Sequence, residues 1–255
     1  MTRTTRAKAM WAAVWIAALG ATYFSAGRYF KRRVEAAGPV PFTLRMEIAS
    51  PPGHVYYLDT LARRSDGTEV RRGGPAAGPE DNVARTIRFP DGDVLTIFDY
   101  IRAKTTWALT PQDRSFFAQR LRERWGVFSQ CIVNAGQGKI VGYDSVFGRP
   151  AEIVRRDFPG LSQRITSWLV PSLGCVRVAY TIEEAQPDGT FVATTSETPL
   201  SLTIGEPDRS MFQVPADYTE MSPSHALEAV FAKRGKPVPA AALAEAHIQD
   251  RHWKP

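Results

Sequence analysis

From residue 42 to about residue 220 apolar and polar positions alternate with a period of two. Phe42, Leu44, Met46 and Ile48 stand against Thr43, Arg45, Glu47 and Ala49, the pattern of a strand with one face buried. His54–Arg63 and Thr68–Arg72 flank Ser65-Asp66-Gly67; Arg85–Phe89 runs into Pro90-Asp91-Gly92; Val94–Asp99 and Ala103–Leu109 form a further hairpin. Lys139–Phe147 and Arg149–Phe158 pair across Gly148, with both faces partly apolar, as in strands buried on two sides. Trp168–Val170 precedes a Pro/Gly turn, and Val176–Ile182 alternates cleanly. After Pro187-Asp188-Gly189 come Thr190–Thr195, Leu200–Ile204 and a last short piece, Met211–Val214. Three Asp-Gly turns between alternating runs predict an antiparallel meander of about nine to eleven strands, with Lys139–Cys175 as its middle.

The period changes to that of a helix twice. Thr110-Pro111 is a cap followed by a first-turn proline, and Phe117, Leu121 and Trp125 fall on one face, predicting an amphipathic helix over 112–125 that covers the sheet. Ser222-Pro223 repeats the device ahead of Ala226, Leu227, Val230 and Phe231, stopping at Gly235. Pro239–His247 forms a shorter helix before a polar tail. The fold class is α+β and mainly β: a curled antiparallel meander, an unclosed barrel with covering helices.

The first residues obey neither period. Residues 1–8 are basic, 9–27 (AMWAAVWIAALGATYFSAG) carry no charge, and 28–41 form a linker. Such a run spans about 28 Å as a helix, close to the hydrocarbon core, with aromatic residues toward its ends. It is expected to be an uncleaved transmembrane or signal-anchor helix; a cleaved signal peptide is the alternative. The flanking bases are nearly balanced and barely choose an orientation. This segment also accounts for the charge. Residues 1–37 hold seven bases against Glu35, the whole of the formal +6, and the remaining bases and acids balance. The nucleic-acid reading, which needs a basic folded face, is thereby excluded.

Cys131 and Cys175 are the two cysteines. Paired outside the cytoplasm they close a loop contributing about 4 kcal/mol; two unrelated buried thiols are the other reading. His54, His225, His247 and His252 have no metal-ligand spacing, Gly136-Gln137-Gly138-Lys139 lacks the rest of a phosphate loop, and no nucleophile elbow occurs. No enzyme is therefore expected, with no catalytic residue, metal or cofactor; an enzyme whose site is assembled only by folding is the third reading. Aromatic and apolar side chains give a different lead: Phe42, Met46, Tyr57, Phe89, Trp107, Tyr143 and Trp168 lie on or beside strands. On the concave face of a curled meander they line a cavity for an apolar ligand, each buried methylene contributing about 0.8 kcal/mol; otherwise they fill the core.

The segments VLTIFD (94–99), KIVGYDSV (139–146), WLVPSLGC (168–175) and MFQVPADYTEMSP (211–223) resemble the LolA/LolB-like lipoprotein-carrier superfamily, in particular its bacterial outer-membrane lipoprotein-sorting type. Phe212-x-Val214-Pro215-x-x-Tyr218 is similar to the F-x-V-P-x-G-Y close of those domains, with Asp217 where glycine is more usual. The resemblance covers residues 42–220, leaving 221–255 as C-terminal helices and tail. It implies an unclosed antiparallel barrel with a helical lid over an apolar cavity. A carrier shuttles, however, and a chain held by residues 9–27 does not. The expectation is thus a binding protein anchored in the inner membrane, its main domain in the periplasm or outside the cell, holding a lipid, a lipoprotein or another apolar ligand. The alternative is an envelope sensor or scaffold that binds a protein and no lipid.

Overall fold

The computed structural model describes residues 39–76, 84–107, 131, 138–250 and 253. The segment 9–27 and the helix expected over 112–125 lie outside these residues. Among the described residues no helix is long and apolar enough to cross a membrane.

Twelve strands form one sheet: β1 (Phe42–Ala49), β2 (Val55–Arg63), β3 (Glu69–Pro75), β4 (Ala84–Arg88), β5 (Val94–Phe98), β6 (Ala103–Trp107), β7 (Lys139–Val146), β8 (Arg149–Phe158), β9 (Gln163–Val170), β10 (Val176–Ala185), β11 (Phe191–Ile204) and β12 (Thr219–Glu220). Their spatial order is β12-β6-β5-β4-β3-β2-β1-β11-β10-β9-β8-β7. Two meanders therefore meet along β1 and β11, and the sheet is unclosed. Every pairing is antiparallel except that of β12 with β6. Two helices follow, α1 (Pro223–Lys233) and α2 (Ala240–Asp250). The Ser222 hydroxyl caps α1 by accepting the His225 N–H, as the Ser-Pro signal predicts.

The hairpins form where the Asp-Gly turns put them, and by one device. In each, the aspartate Oδ1 accepts the backbone N–H two residues on (Asp66 from Thr68, Asp91 from Asp93, Asp188 from Thr190). Gly67, Gly92 and Gly189 then take φ of 88°, 94° and 82°, which a side chain would resist.

The structure departs from the sequence reading in four places. Thr190–Thr195 and Leu200–Ile204 are one strand, β11, because a bulge opposite Arg45 and Met46 accommodates Pro199 without ending the ladder. Met211–Val214 is no strand: Arg209–Phe212 is a 3-10 turn capped by Asp208. Lys139–Cys175 holds three strands, not two, and lies at one end of the sheet instead of its middle. Its first strand, β7, is the sheet edge and mostly exposed, so apolar residues on two faces here do not mean two-sided burial.

The core is in three parts. Ala62, Val70, Ile87, Leu95 and Ile97 form one on the first meander, covered by Met211, Phe212, Val214 and Tyr218. The Phe212–Tyr218 motif is thus a clamp: its apolar residues close this core, and the Tyr218 hydroxyl donates to Asp99 at 2.9 Å. Arg85 holds the same Asp99 with two N–H groups (2.9 and 2.8 Å) and donates a third to the Gln213 carbonyl. The other two cores lie at the meeting of the meanders and around the cysteines.

Candidate functional site

The meeting of the two meanders is a fork. β11 pairs with β10 through residues 191–197 and with β1 through residues 196–204, so only Ser196 and Glu197 have neighbours on both sides. Beyond Glu197 the halves part. Phe42, Leu44 and Met46 of β1 fill the wedge together with Ala151 of β8, Val170 of β9, Val176 and Val178 of β10, and Leu173. The wide end is bridged by Arg63 of β2, which is fully buried. Its Nη1 donates to the Leu173 carbonyl, on the turn between β9 and β10, at 2.7 Å. Its Nε and Nη2 both meet Glu69, and its guanidinium lies 5.0 Å from the centroid of the Phe42 ring.

At the apex the chemistry is polar. Glu197 faces Ile48 on β1 and Tyr180 on β10, and 2 % of it is exposed; Asp59 of β2, opposite Met46, is 3 % exposed. Arg71 of β3 joins the two carboxylates, meeting Asp59 Oδ2 through Nε and Nη2 and Glu197 Oε1 through Nη2 at 3.0 Å. Arg177 approaches Glu197 Oε2 from β10, with Nε at 3.7 Å, and lies 4.4 Å from the centroid of the Tyr180 ring. The acids are covered, whereas the two guanidiniums stay about half exposed. Asp59 Oδ1 is buried, with no hydrogen-bond partner among the described residues.

Burial pushes the Glu197 carboxyl above its ordinary value, against the pull of Arg71 and Arg177. Burial works against the charge of Arg71 too, but the hydrogen bond and charge of Asp59 override it and push that guanidinium up. Burial, then the charges of Asp59 and Glu197 respectively, raise the hydroxyls of Tyr57 and Tyr180. A carboxyl raised in the folded state stabilises it below the unfolded value, about 4.3, and that contribution is lost as pH rises through the native value. Glu197→Gln should therefore gain stability relative to the parent as pH goes from 5 to 8. Parallel melting curves at the two pH values measure this; a parent that gains on the variant over that rise contradicts the assignment.

Of the side chains expected to line a cavity, Phe42 and Met46 are buried in the wedge. Tyr57, opposite Ile48, is half-buried beside the apex. Its ring lies over Gly73, where a Cβ would fall 2.4 Å from Tyr57 Cε1, so only glycine fits there. Trp168 packs at the margin of the wedge core and donates Nε1–H to Asp144 at 3.0 Å. Tyr143 does not join them: it is 75 % exposed on edge strand β7, opposite Glu152 and on the other face of this end from Trp168. Phe89 sits in the β4–β5 turn and is 38 % exposed. Trp107 ends β6, paired with Val94, and its side chain is outside the described residues. Sequence reasoning missed Asp59, Arg63, Arg71, Arg177 and Glu197. A signal existed on β2, where Tyr57, Asp59, Leu61 and Arg63 alternate on one face, putting charges where apolar residues were expected.

Cys131 and Cys175 form the disulfide, both buried with Val154 and Leu169. The Cys131 N–H donates to Glu152 Oε2 at 2.6 Å, which gives that buried carboxylate a partner. Among the described residues no three His, Cys, Asp or Glu side chains gather as metal ligands.

No family model and no curated protein matches the chain. Solved structures do. The complex of MucA and MucB from Pseudomonas aeruginosa matches at 17 % identity and a TM-score of 0.40, over 78 % of this chain and 64 % of that one. A DUF1329 family protein from Desulfovibrio piger matches at 12 % and 0.29, over 74 % and 98 %. This chain thus spans less than two thirds of the MucB chain it matches. A LolA superfamily protein from Nitrosomonas europaea matches at 7 % identity and a TM-score of 0.27, over 69 % of this chain and 90 % of that one.

Proposed function

We propose that this chain is an extracytoplasmic binding protein that holds an apolar or amphipathic ligand at the fork of its sheet. The observation that carries the reading is the fork itself. Two halves of one sheet part around an apolar wedge whose apex is lined by half-exposed arginines and tyrosines. Apolar walls with a few convergent polar groups are the usual lining of a small-molecule site, and a ligand would enter here by displacing side chains that pack the wedge. The Cys131–Cys175 bond supports an oxidising compartment such as the periplasm. Residues 9–27 would tie the domain to the inner membrane, so that it presents a ligand where it stands and does not ferry one.

The exposed edge strand β7 favours a second reading, an envelope sensor or scaffold. Val141 is 40 % and Tyr143 75 % exposed on the strand that ends the sheet among the described residues, a surface on which a partner could add a strand.

The full chain, purified in a mild detergent, should carry co-purified lipid on native mass spectrometry and take up a fluorescent fatty acid to saturation. A chain that does neither rules out the ligand-binding reading and leaves the β7 edge as the working surface.

A further inference from the structure

We propose that Arg71 and Arg177 form a site for the anionic group, carboxylate or phosphate, of an amphiphile whose apolar part enters the fork. This rests on the ligand-binding reading above and names the chemistry it selects.

Two guanidiniums from strands on opposite sides of the fork converge on one carboxylate, Glu197. Surface ion pairs of this kind ordinarily contribute little, and the two arginines balance the two acids Asp59 and Glu197. Here both side chains stay about half exposed while the acids beside them are covered. Arg71 spends Nε and Nη2 on the acids, and among the described residues its Nη1 makes no hydrogen bond. An arginine carries five N–H donors in a planar fork that matches carboxylate and phosphate oxygens. The acids below act as a holder, fixing the planes of the guanidiniums before any ligand arrives.

The second observation is Asp59. Its Oδ1 is buried without a partner among the described residues, so the cluster is one donor short. An anion shared by Arg71 and Arg177 draws positive charge away from the acids and favours a proton on Glu197. Asp59 Oδ2 and Glu197 Oε1 meet at the same Arg71 nitrogen, Nη2, so the two carboxylates are neighbours and a proton on Glu197 relieves their repulsion. Tyr57 and Tyr180 are half-buried beside the acids, opposite Ile48 and Glu197. Next to them Ile48 and Met46, both buried, lead into the packed core of the wedge, the apolar surface that a chain would meet on parting it. An anionic head at the arginines and an apolar chain along that surface is the combination these groups fit.

The test is displacement of N-phenyl-1-naphthylamine from the full chain by three single-chain amphiphiles below their micelle concentrations: oleate, oleoyl lysophosphatidate and monoolein. The two anions should displace the probe at concentrations about ten-fold lower than neutral monoolein, the factor that about 1.4 kcal/mol makes. Preference for oleate alone assigns a carboxylate site, and preference for lysophosphatidate alone a phosphate site. Arg177→Gln, which removes a half-exposed side chain with one 3.7 Å contact to Glu197, should abolish most of the preference and leave monoolein unaffected. Because Arg71→Gln alone would strand two buried acids, the second variant combines it with Asp59→Asn and Glu197→Gln. Equal displacement by all three amphiphiles, or a preference that survives in both variants, overturns the anion site while leaving ligand binding intact. Failure of all three to displace the probe, monoolein included, removes both.

Discussion

Arg63→Ala should cost the fold about 3–5 kcal/mol, lowering the melting temperature by roughly 10 °C for a domain of this size. The size of the effect follows from what Arg63 joins. It is fully buried, and it contacts Glu69 at the end of its own hairpin, the Phe42 ring, and the Leu173 carbonyl across the wedge. Truncation leaves that carbonyl without this donor and weakens the partnership of a carboxylate whose side chain is 15 % exposed. A double variant, Arg63→Met with Glu69→Leu, should recover much of the loss, since apolar groups of similar volume can replace a buried pair at little cost. Urea melts of parent, single and double variants decide the matter. A single variant within 1 kcal/mol of the parent would mean that the bridge is not what closes the wedge.

Removing the disulfide should have an effect of similar size. Cys131 and Cys175 are 44 residues apart in sequence, and closing such a loop restricts the unfolded chain by about 4 kcal/mol on the entropic model. Both sulfurs lie in the small core with Val154 and Leu169, so reduction also loosens the outer end of the sheet. Replacing both cysteines by alanine, or adding dithiothreitol to the parent, should shift the urea midpoint downward by the same amount. A reductant that leaves the midpoint of the parent where it was would falsify the assignment of this bond as a main support of the fold.

Much of the architecture was legible in the chain because local rules and the fold agree. Each Asp-Gly turn became a hairpin, since an aspartate side chain and a glycine of positive φ suffice to reverse a strand within a few residues. The Ser222 cap and α1 needed nothing beyond their own residues either. What the pattern could not supply was the order of strands. Period two says that Phe42 and Leu44 share a face, but not that β1 pairs with β11, because that choice is made by packing in the wedge. The same gap explains the aromatic residues. Tyr143 and Trp168 sit in equally strand-like contexts, yet one lies on an edge and the other beside the core. The polar apex was harder still. Arg71 and Glu197 are 126 residues apart, and only folding makes them neighbours.

The place of β1 carries a further consequence. One side of it is satisfied by β2, which follows it directly, but the other waits for residues 196–204. Until residues 196–204 have been made, a strand bearing Phe42, Leu44 and Met46 has an open flank. Such long-range closure is slow, and its intermediates expose the surface that sticks to other chains. Cells making this protein should therefore depend on holding factors to keep the early meander from associating with its neighbours, and a chain cut before residue 196 should aggregate instead of folding in part.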